Sequence, residues 1–327
     1  MRIGLIDCDH RNGGTFPNLA LMKLSAWHKA HGDLVEWYMP FSDRYDIVYV
    51  VKVFSFTPDY DLAINADKVI RGGSGYQIRL QDGKEVWKHA IPFGNGVQPY
   101  LPYEVEHIYP DYDLYPTLCK DTAYGFLTRG CPRGCSFCHV AAKEGHKSVK
   151  VADLKEFWHG QKNIVLLDPN LLACKDRIKL LRQLQDSRAQ IDFTQGLDAR
   201  LLDEKICDIL VGIRLKNVHF AWDRYEDGKI ILPKLKMFAE RIKTKPHDHH
   251  AIVYTLVNFD TTLEQDLERI YTLRDMGYWA YVMIYDKEHC DNKYLDLSRW
   301  VNNRHVFARV ESFEDYDYKK EHAKNDL

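Results

Sequence analysis

Three cysteines fall within eight residues, in the segment Cys131-Pro-Arg-Gly-Cys135-Ser-Phe-Cys138. The spacing is C-x₃-C-x₂-C, and a glycine in the first gap lets the loop curl. Three convergent thiolates can hold three irons of a cubane cluster. Most iron–sulfur proteins close all four corners with protein ligands. A motif that supplies only three leaves one iron for a substrate or cosubstrate. Two other chemistries use the same residues. Cys131, Cys135, Cys138 and His139 make a set of zinc donors, although zinc ligands usually come as two separated pairs. Cys135-Ser-Phe-Cys138-His139 also matches the haem-attachment pattern C-x-x-C-H. That attachment generally follows export, and the N-terminal residues do not read as a signal peptide.

The three spacings, together with the aromatic Phe137 just before the last cysteine, resemble the cluster loop of radical S-adenosylmethionine (radical SAM) enzymes. The resemblance implies a 4Fe–4S cluster on Cys131, Cys135 and Cys138, with SAM chelating the open iron. One electron, delivered by a reductant such as flavodoxin or ferredoxin, would cleave SAM to methionine and a 5′-deoxyadenosyl radical. That radical would abstract hydrogen from a substrate the sequence does not identify. An exposed cluster with an open iron is oxygen-sensitive.

At 327 residues the chain is long enough for two domains. It is 45% hydrophobic and 28% charged, with a formal net charge of −2. No long basic run demands a nucleic-acid partner. No stretch approaches the ~20 apolar residues of a membrane span. The start, Met1-Arg-Ile-Gly-Leu-Ile-Asp7, becomes acidic too soon for a signal peptide and reads as a strand. The remaining cysteines, 8, 119, 174, 207 and 290, are scattered singly. That pattern fits a reducing cytoplasm rather than a disulfide framework. Cys174 and Cys207 read as small core residues.

Elements that would position the loop follow from periodicity. Strands are expected at 122–129, 163–168, 190–195, 217–222, 251–258 and 279–285. Helices are expected at 150–158, 175–188, 202–211, 232–244, 263–276 and 292–302. Short apolar strands separated by amphipathic helices argue for βαβ units and a parallel sheet. The helix at 263–276 is the clearest, with Leu263, Leu267, Ile270 and Leu273 on one face and Thr261 or Thr262 as cap. Six such units resemble the partial (β/α)₆ barrel of radical SAM enzymes, here residues 122–304, with 305–327 as a C-terminal extension. Residues 1–100 read as a small doubly wound α/β domain, and 101–121, rich in proline and tyrosine, as a linker.

Ligand sites of parallel α/β folds lie at the carboxyl ends of the strands. The resemblance therefore places SAM contacts at Asp168, Asn170, Gln195, Asp198, Arg200, Asp223 and Asn258, with Phe137 near the adenine. Arg200 suits bidentate pairing with a carboxylate. The plainer reading of each polar residue is a helix cap or loop hydrogen bond.

Residues 1–100 resemble the cobalamin-binding-type domain of one radical SAM branch. His10 and Gly13 fit the motif D-x-H-x-x-G, but Cys8 stands at the aspartate position. Gly72-Gly73 resembles the glycine pair that admits the cobalamin tail. The broken motif favours a degenerate domain without cobalamin, in which His10 touches substrate. Cobalamin-dependent methyl transfer and a non-catalytic iron–sulfur or zinc protein are the alternatives. Methylthiotransfer needs three thiols in this domain, and Cys8 is alone. Pro246-His247-Asp248-His249-His250 reads as a solvated loop rather than a metal site. The aromatic residues around 100–124 suit either a substrate groove or interdomain packing.

Overall fold

A computed structural model describes residues 1–81, 84–87, 101–242, 246 and 250–323. The fold is mixed α/β with parallel sheets. The chain divides into two compact units, Met1–Val165 and Leu166–Leu327. The expected boundaries near residues 100 and 121 both fall inside the first unit.

The first unit opens with β1 (Arg2–Asp7), β2 (Leu34–Trp37), β3 (Tyr45–Val51) and β4 (Ala66–Gly72). They form a parallel sheet in the order β2-β1-β3-β4. Alternation along β1 sends Ile3 and Leu5 to one apolar cluster, with Leu21 and Leu24 of helix Leu19–Ala30. Ile6 joins the other cluster, with Cys8, Val48 and Val50. Each fully buried aliphatic chain contributes ~1.5–3 kcal/mol. Asn18 caps the helix by accepting from the Leu21 amide at 3.2 Å. The register pairs Asp7 with Val51 and Val51 with Gly72, so the carboxyl ends of β1, β3 and β4 are level.

An antiparallel pair follows, β5 (Ile78–Gln81) with β6 (Lys84–Trp87). Residues 101–121 run as short helical turns at Tyr103–Glu106 and Pro116–Cys119. Tyrosine hydroxyls pin this segment. Tyr115 donates to Asp7 Oδ2 at 2.5 Å, and Tyr112 donates to the Phe157 carbonyl at 2.6 Å. The unit closes with β7 (Thr122–Gly125), the antiparallel pair β8 (Thr128–Arg129) and β9 (Val149–Lys150), and β10 (Asn163–Leu166), at which the boundary falls. The helix expected at 150–158 is only a 3₁₀ turn, Leu154–Glu156. Its capping box, Asp153 with Glu156, starts a helix that Phe157 stops. The Phe157 ring lies where a Cβ on Gly125 would come within 2.4 Å of it, so the ring turns inward instead of continuing a helix face.

In the second unit β11 (Gln190–Phe193), β12 (Arg214–Ala221), β13 (Ala251–Val257) and β14 (Trp279–Ile284) lie side by side, all parallel. The helices Arg177–Ser187, Glu204–Val211, Gly228–Ile242, Leu263–Asp275 and Asn292–Asn302 match the expected positions to within a few residues. Val218 and Phe220 are buried, and the Phe220 ring meets Phe238 edge to face at 5.3 Å. Thr262 and Gln265 form the capping box of Leu263–Asp275.

That helix buries more than its apolar stripe. Asp266 and Arg269 are fully buried and paired at 2.5 Å. Arg269 also donates to the carbonyls of Trp222, Asp223 and Leu256 at 2.5, 2.8 and 2.7 Å. It ties the ends of β12 and β13 to one helix. Arg269→Ala should lower unfolding free energy by about 3–5 kcal/mol, since it leaves a buried carboxylate unpaired. Urea denaturation measures this. The double replacement Arg269→Met with Asp266→Leu should recover much of the loss, and a further additive loss would count against the pairing.

Candidate functional site

The three clustered cysteines occupy the loop that follows β8. Gly130 enters it at φ +84°, and a Cβ there would stand 2.2 Å from the Lys147 carbonyl oxygen. Only glycine fits this approach. The loop is tied at its base: the Gly130 amide donates to Glu144 Oε2 at 3.1 Å, and the Cys131 amide to the Gly145 carbonyl at 3.1 Å. The Cys138 amide donates to the Cys135 carbonyl at 3.0 Å. Cys131, Cys135 and Phe137 are half-buried, and Cys138 is exposed. Cys8, Cys119, Cys174 and Cys207 are buried instead, as expected for 174 and 207. Burial raises the thiol of Cys119 to about 12 and that of Cys207 to about 11. Thus the loop alone presents three accessible thiols together. Among the described residues, no three His, Cys, Asp or Glu side chains are gathered closely enough to hold a metal ion. In donor type and access the loop suits a thiolate-bound iron cluster. His139 is not gathered with them either.

Strand-end residues of the second unit fall into two groups. Asn170 and Asp198 cap short 3₁₀ turns, Leu171–Ala173 and Ala199–Leu201. The plain capping reading therefore holds for both. They also meet, with Asn170 Nδ2 donating to Asp198 Oδ2 at 3.4 Å. Arg200 Nε donates to Asp198 Oδ1 at 2.7 Å, and its Nη1 to Asp227 Oδ2 at 2.8 Å. The guanidinium thus bridges two carboxylates. Asp168 is buried, 4% exposed, and Gln195 is exposed. Asn258 has a left-handed backbone, φ +62°, and its Nδ2 donates to the Tyr285 carbonyl at 2.9 Å.

Asp223 stands apart. It follows β12, its Oδ1 is buried, and that atom has no hydrogen-bond partner among the described residues. Burial raises its carboxyl to about 6, against the opposing pull of the Arg269 charge. An orphaned carboxylate oxygen at a strand end is an open acceptor for a cationic or N–H group.

The loop after β1 adds a different feature. Cys8 lies in the core, 1% exposed. Asp9 bridges to the loop after β3: its carboxylate accepts from the Val53 amide and from the Thr57 hydroxyl, at 2.5 and 2.6 Å. Gly73, at φ +94°, packs against the chain's own backbone, and a Cβ there would be 2.2 Å from the Lys52 carbonyl oxygen. Gly73 of the glycine pair thus serves an internal close approach. His10 is exposed and meets Tyr115 edge to face at 5.5 Å. His247, Asp248 and His249 lie outside the described residues.

Sequence reading missed Asp227, the second carboxylate on Arg200, and the Asp266–Arg269 pair. The i, i+3 spacing of Asp266 and Arg269 on an amphipathic helix was the available signal. It also missed a polar sheet face, where buried His219 stacks on Tyr254 at 4.9 Å and Tyr254 donates to the Thr194 carbonyl at 3.0 Å. No family model matches the chain, and no curated protein matches it. No helix among the described residues is long and apolar enough to cross a membrane.

The raised carboxyl of Asp223 has a stability consequence. The folded protein holds its proton up to about pH 6, where the unfolded chain has already lost it. Stability from this group is therefore fully present below about pH 4 and is lost as pH rises through 6, by up to about 3 kcal/mol. Asp223→Asn should gain on the wild type between pH 4.5 and 7, read as the difference in urea midpoints. An equal difference at both pH values would count against a raised carboxyl.

Proposed function

We propose that the chain is a radical SAM enzyme that holds a 4Fe–4S cluster on Cys131, Cys135 and Cys138. The observation that carries this reading is the loop with three accessible thiols at C-x₃-C-x₂-C spacing, in a chain whose Cys8, Cys119, Cys174 and Cys207 are buried. When bound, the cluster and SAM supply the one-electron cleavage of SAM that yields a hydrogen-abstracting species. The remaining work falls to the chain. Gly130 and Glu144 set the entry of the loop. Phe137 offers an apolar face beside the thiols.

Asp223 is the strand-end residue best prepared to receive SAM. Its unpartnered oxygen would accept from the ammonium of the methionine moiety. That interaction would compensate a carboxylate whose ionisation is otherwise penalised by burial. Asp198 and Arg200 act as a preformed pair, so Arg200 must share its guanidinium to meet a ligand carboxylate. Asp168, Asn170, Gln195 and Asn258 complete the proposed set. The reading takes the parallel strands with their intervening helices for a partial (β/α)₆ barrel, and the four-stranded sheet of β1 to β4 for a cobalamin-type fold. In this reading that fold works without cobalamin, because Asp9 and Gly73 are engaged by the loop after β3. A flavodoxin- or ferredoxin-type reductant in the cytoplasm would supply the electron.

Anaerobic reconstitution with iron and sulfide, followed by dithionite and SAM, tests the reading. The wild type should bind about four irons per chain and release 5′-deoxyadenosine. Replacing all three cysteines with alanine should abolish both. Asp223→Ala should keep the iron and weaken SAM binding about ten- to hundredfold. Retention of the iron by the triple variant would remove the assignment. Zinc in place of iron, with no deoxyadenosine, would leave a binding protein.

A further inference from the structure

A cavity of about 340 Å³ opens at the carboxyl ends of β1 and β2 in the first unit. Asp7, His10, Arg11, Trp37, Tyr38 and Tyr115 are among its lining residues, and residues 114–118 form one wall. This volume is that of a small-molecule site, and in open parallel α/β sheets ligands bind outside the strands' carboxyl ends.

The lining has a definite chemistry. Trp37 is 37% exposed and meets the Tyr115 ring edge to face at 5.2 Å. Its indole is thus braced and accessible, as a stacking surface must be. His10 Nδ1 lies 3.1 Å from the Gly14 carbonyl oxygen. A carbonyl only accepts, so Nδ1 carries the hydrogen, and in the neutral ring Nε2 is left as an acceptor. Arg11 lies over the Tyr60 ring, 5.0 Å from its centroid, and makes no ion pair with a carboxylate among the described residues. The one carboxylate in the lining, Asp7, is 3% exposed. Both its oxygens are occupied, by the His10 amide at 3.1 Å and the Tyr115 hydroxyl at 2.5 Å. Burial also favours its protonated form. Asp7 therefore holds the wall in place and offers little charge to the cavity.

We propose that this cavity binds a planar aromatic heterocycle bearing an anionic group, of the size of a mononucleotide. The ring stacks on Trp37, a ring N–H or amino group donates to His10 Nε2, and Arg11 pairs with the anion. The lining shares no residue with the proposed cluster and SAM set, and the proposal does not depend on that set.

Isothermal titration of the full chain with AMP, GMP, adenosine and inorganic phosphate tests this, with SAM present at saturation so that adenine recognition elsewhere is blocked. At least one nucleotide should bind at a single site, with adenosine and phosphate each about tenfold weaker or more. Arg11→Ala should bring the nucleotide down to the nucleoside level, and Arg11→Lys should restore part of the difference. Trp37→Ala should weaken nucleotide and nucleoside alike, by about tenfold. SAM affinity should be unchanged in all three variants. The proposal is overturned if neither nucleotide binds below about 1 mM, or if Arg11→Ala leaves the preference for the phosphate intact.

Discussion

A half-hidden chain of charges, Lys23–Glu106–Arg129–Glu144, organises the first unit. Glu106 accepts from Lys23 at 2.9 Å and lies 3.4 Å from Arg129, which in turn meets Glu144 at 3.1 Å. The four side chains are between 5% and 18% exposed. Burial lowers the Lys23 ammonium despite its partner. Such a chain contributes little net stability, because desolvation offsets most of the attraction. Its effect is registry. Lys23 belongs to the helix Leu19–Ala30, Glu106 to the segment after residue 100, and Glu144 to the base of the cysteine loop. One connected set of charges therefore fixes three distant pieces of sequence, and the Gly130 amide on Glu144 passes that order to the thiols.

Arg269 plays the corresponding part in the second unit. Its donors gather three carbonyls at the ends of β12 and β13, and Asp266 balances its charge. The carboxyl of Asp223 sits beside this cation yet remains raised, so desolvation exceeds the Coulomb attraction there. A strand-end acid with an unmet oxygen is costly to keep in an unliganded protein.

Local signals were legible in the sequence. The β1 strand matches Arg2–Asp7 in full, and Thr262 caps the helix at 263. Each depends on residues within a few positions of one another. One expected element failed, and one pair of residues was legible only in part. At 150–158 a valid helix start was overridden by a tertiary contact, since Phe157 turns toward Gly125. At Asn170 and Asp198 the strand-end position was right, but the side chains are engaged in capping as well as with each other. The cavity at Asp7 was hidden for a third reason. Its wall comes from residues 114–118, more than a hundred positions from β1, and nothing in the spacing of either segment announces the other.

The unequal burial of the cysteines makes air a selective reagent. Oxidation begins at the thiolate, and a thiol held near 11 or 12 has almost none at neutral pH. The core cysteines at 119 and 207 should therefore outlast long exposure to oxygen unaltered. Damage will fall first on the accessible triplet, where neighbouring sulfurs can join as a disulfide before any passes to irreversible acids. A preparation made in air would then look intact by every measure of folding and have lost only the free thiols of the triplet, and a mild thiol reductant would return them.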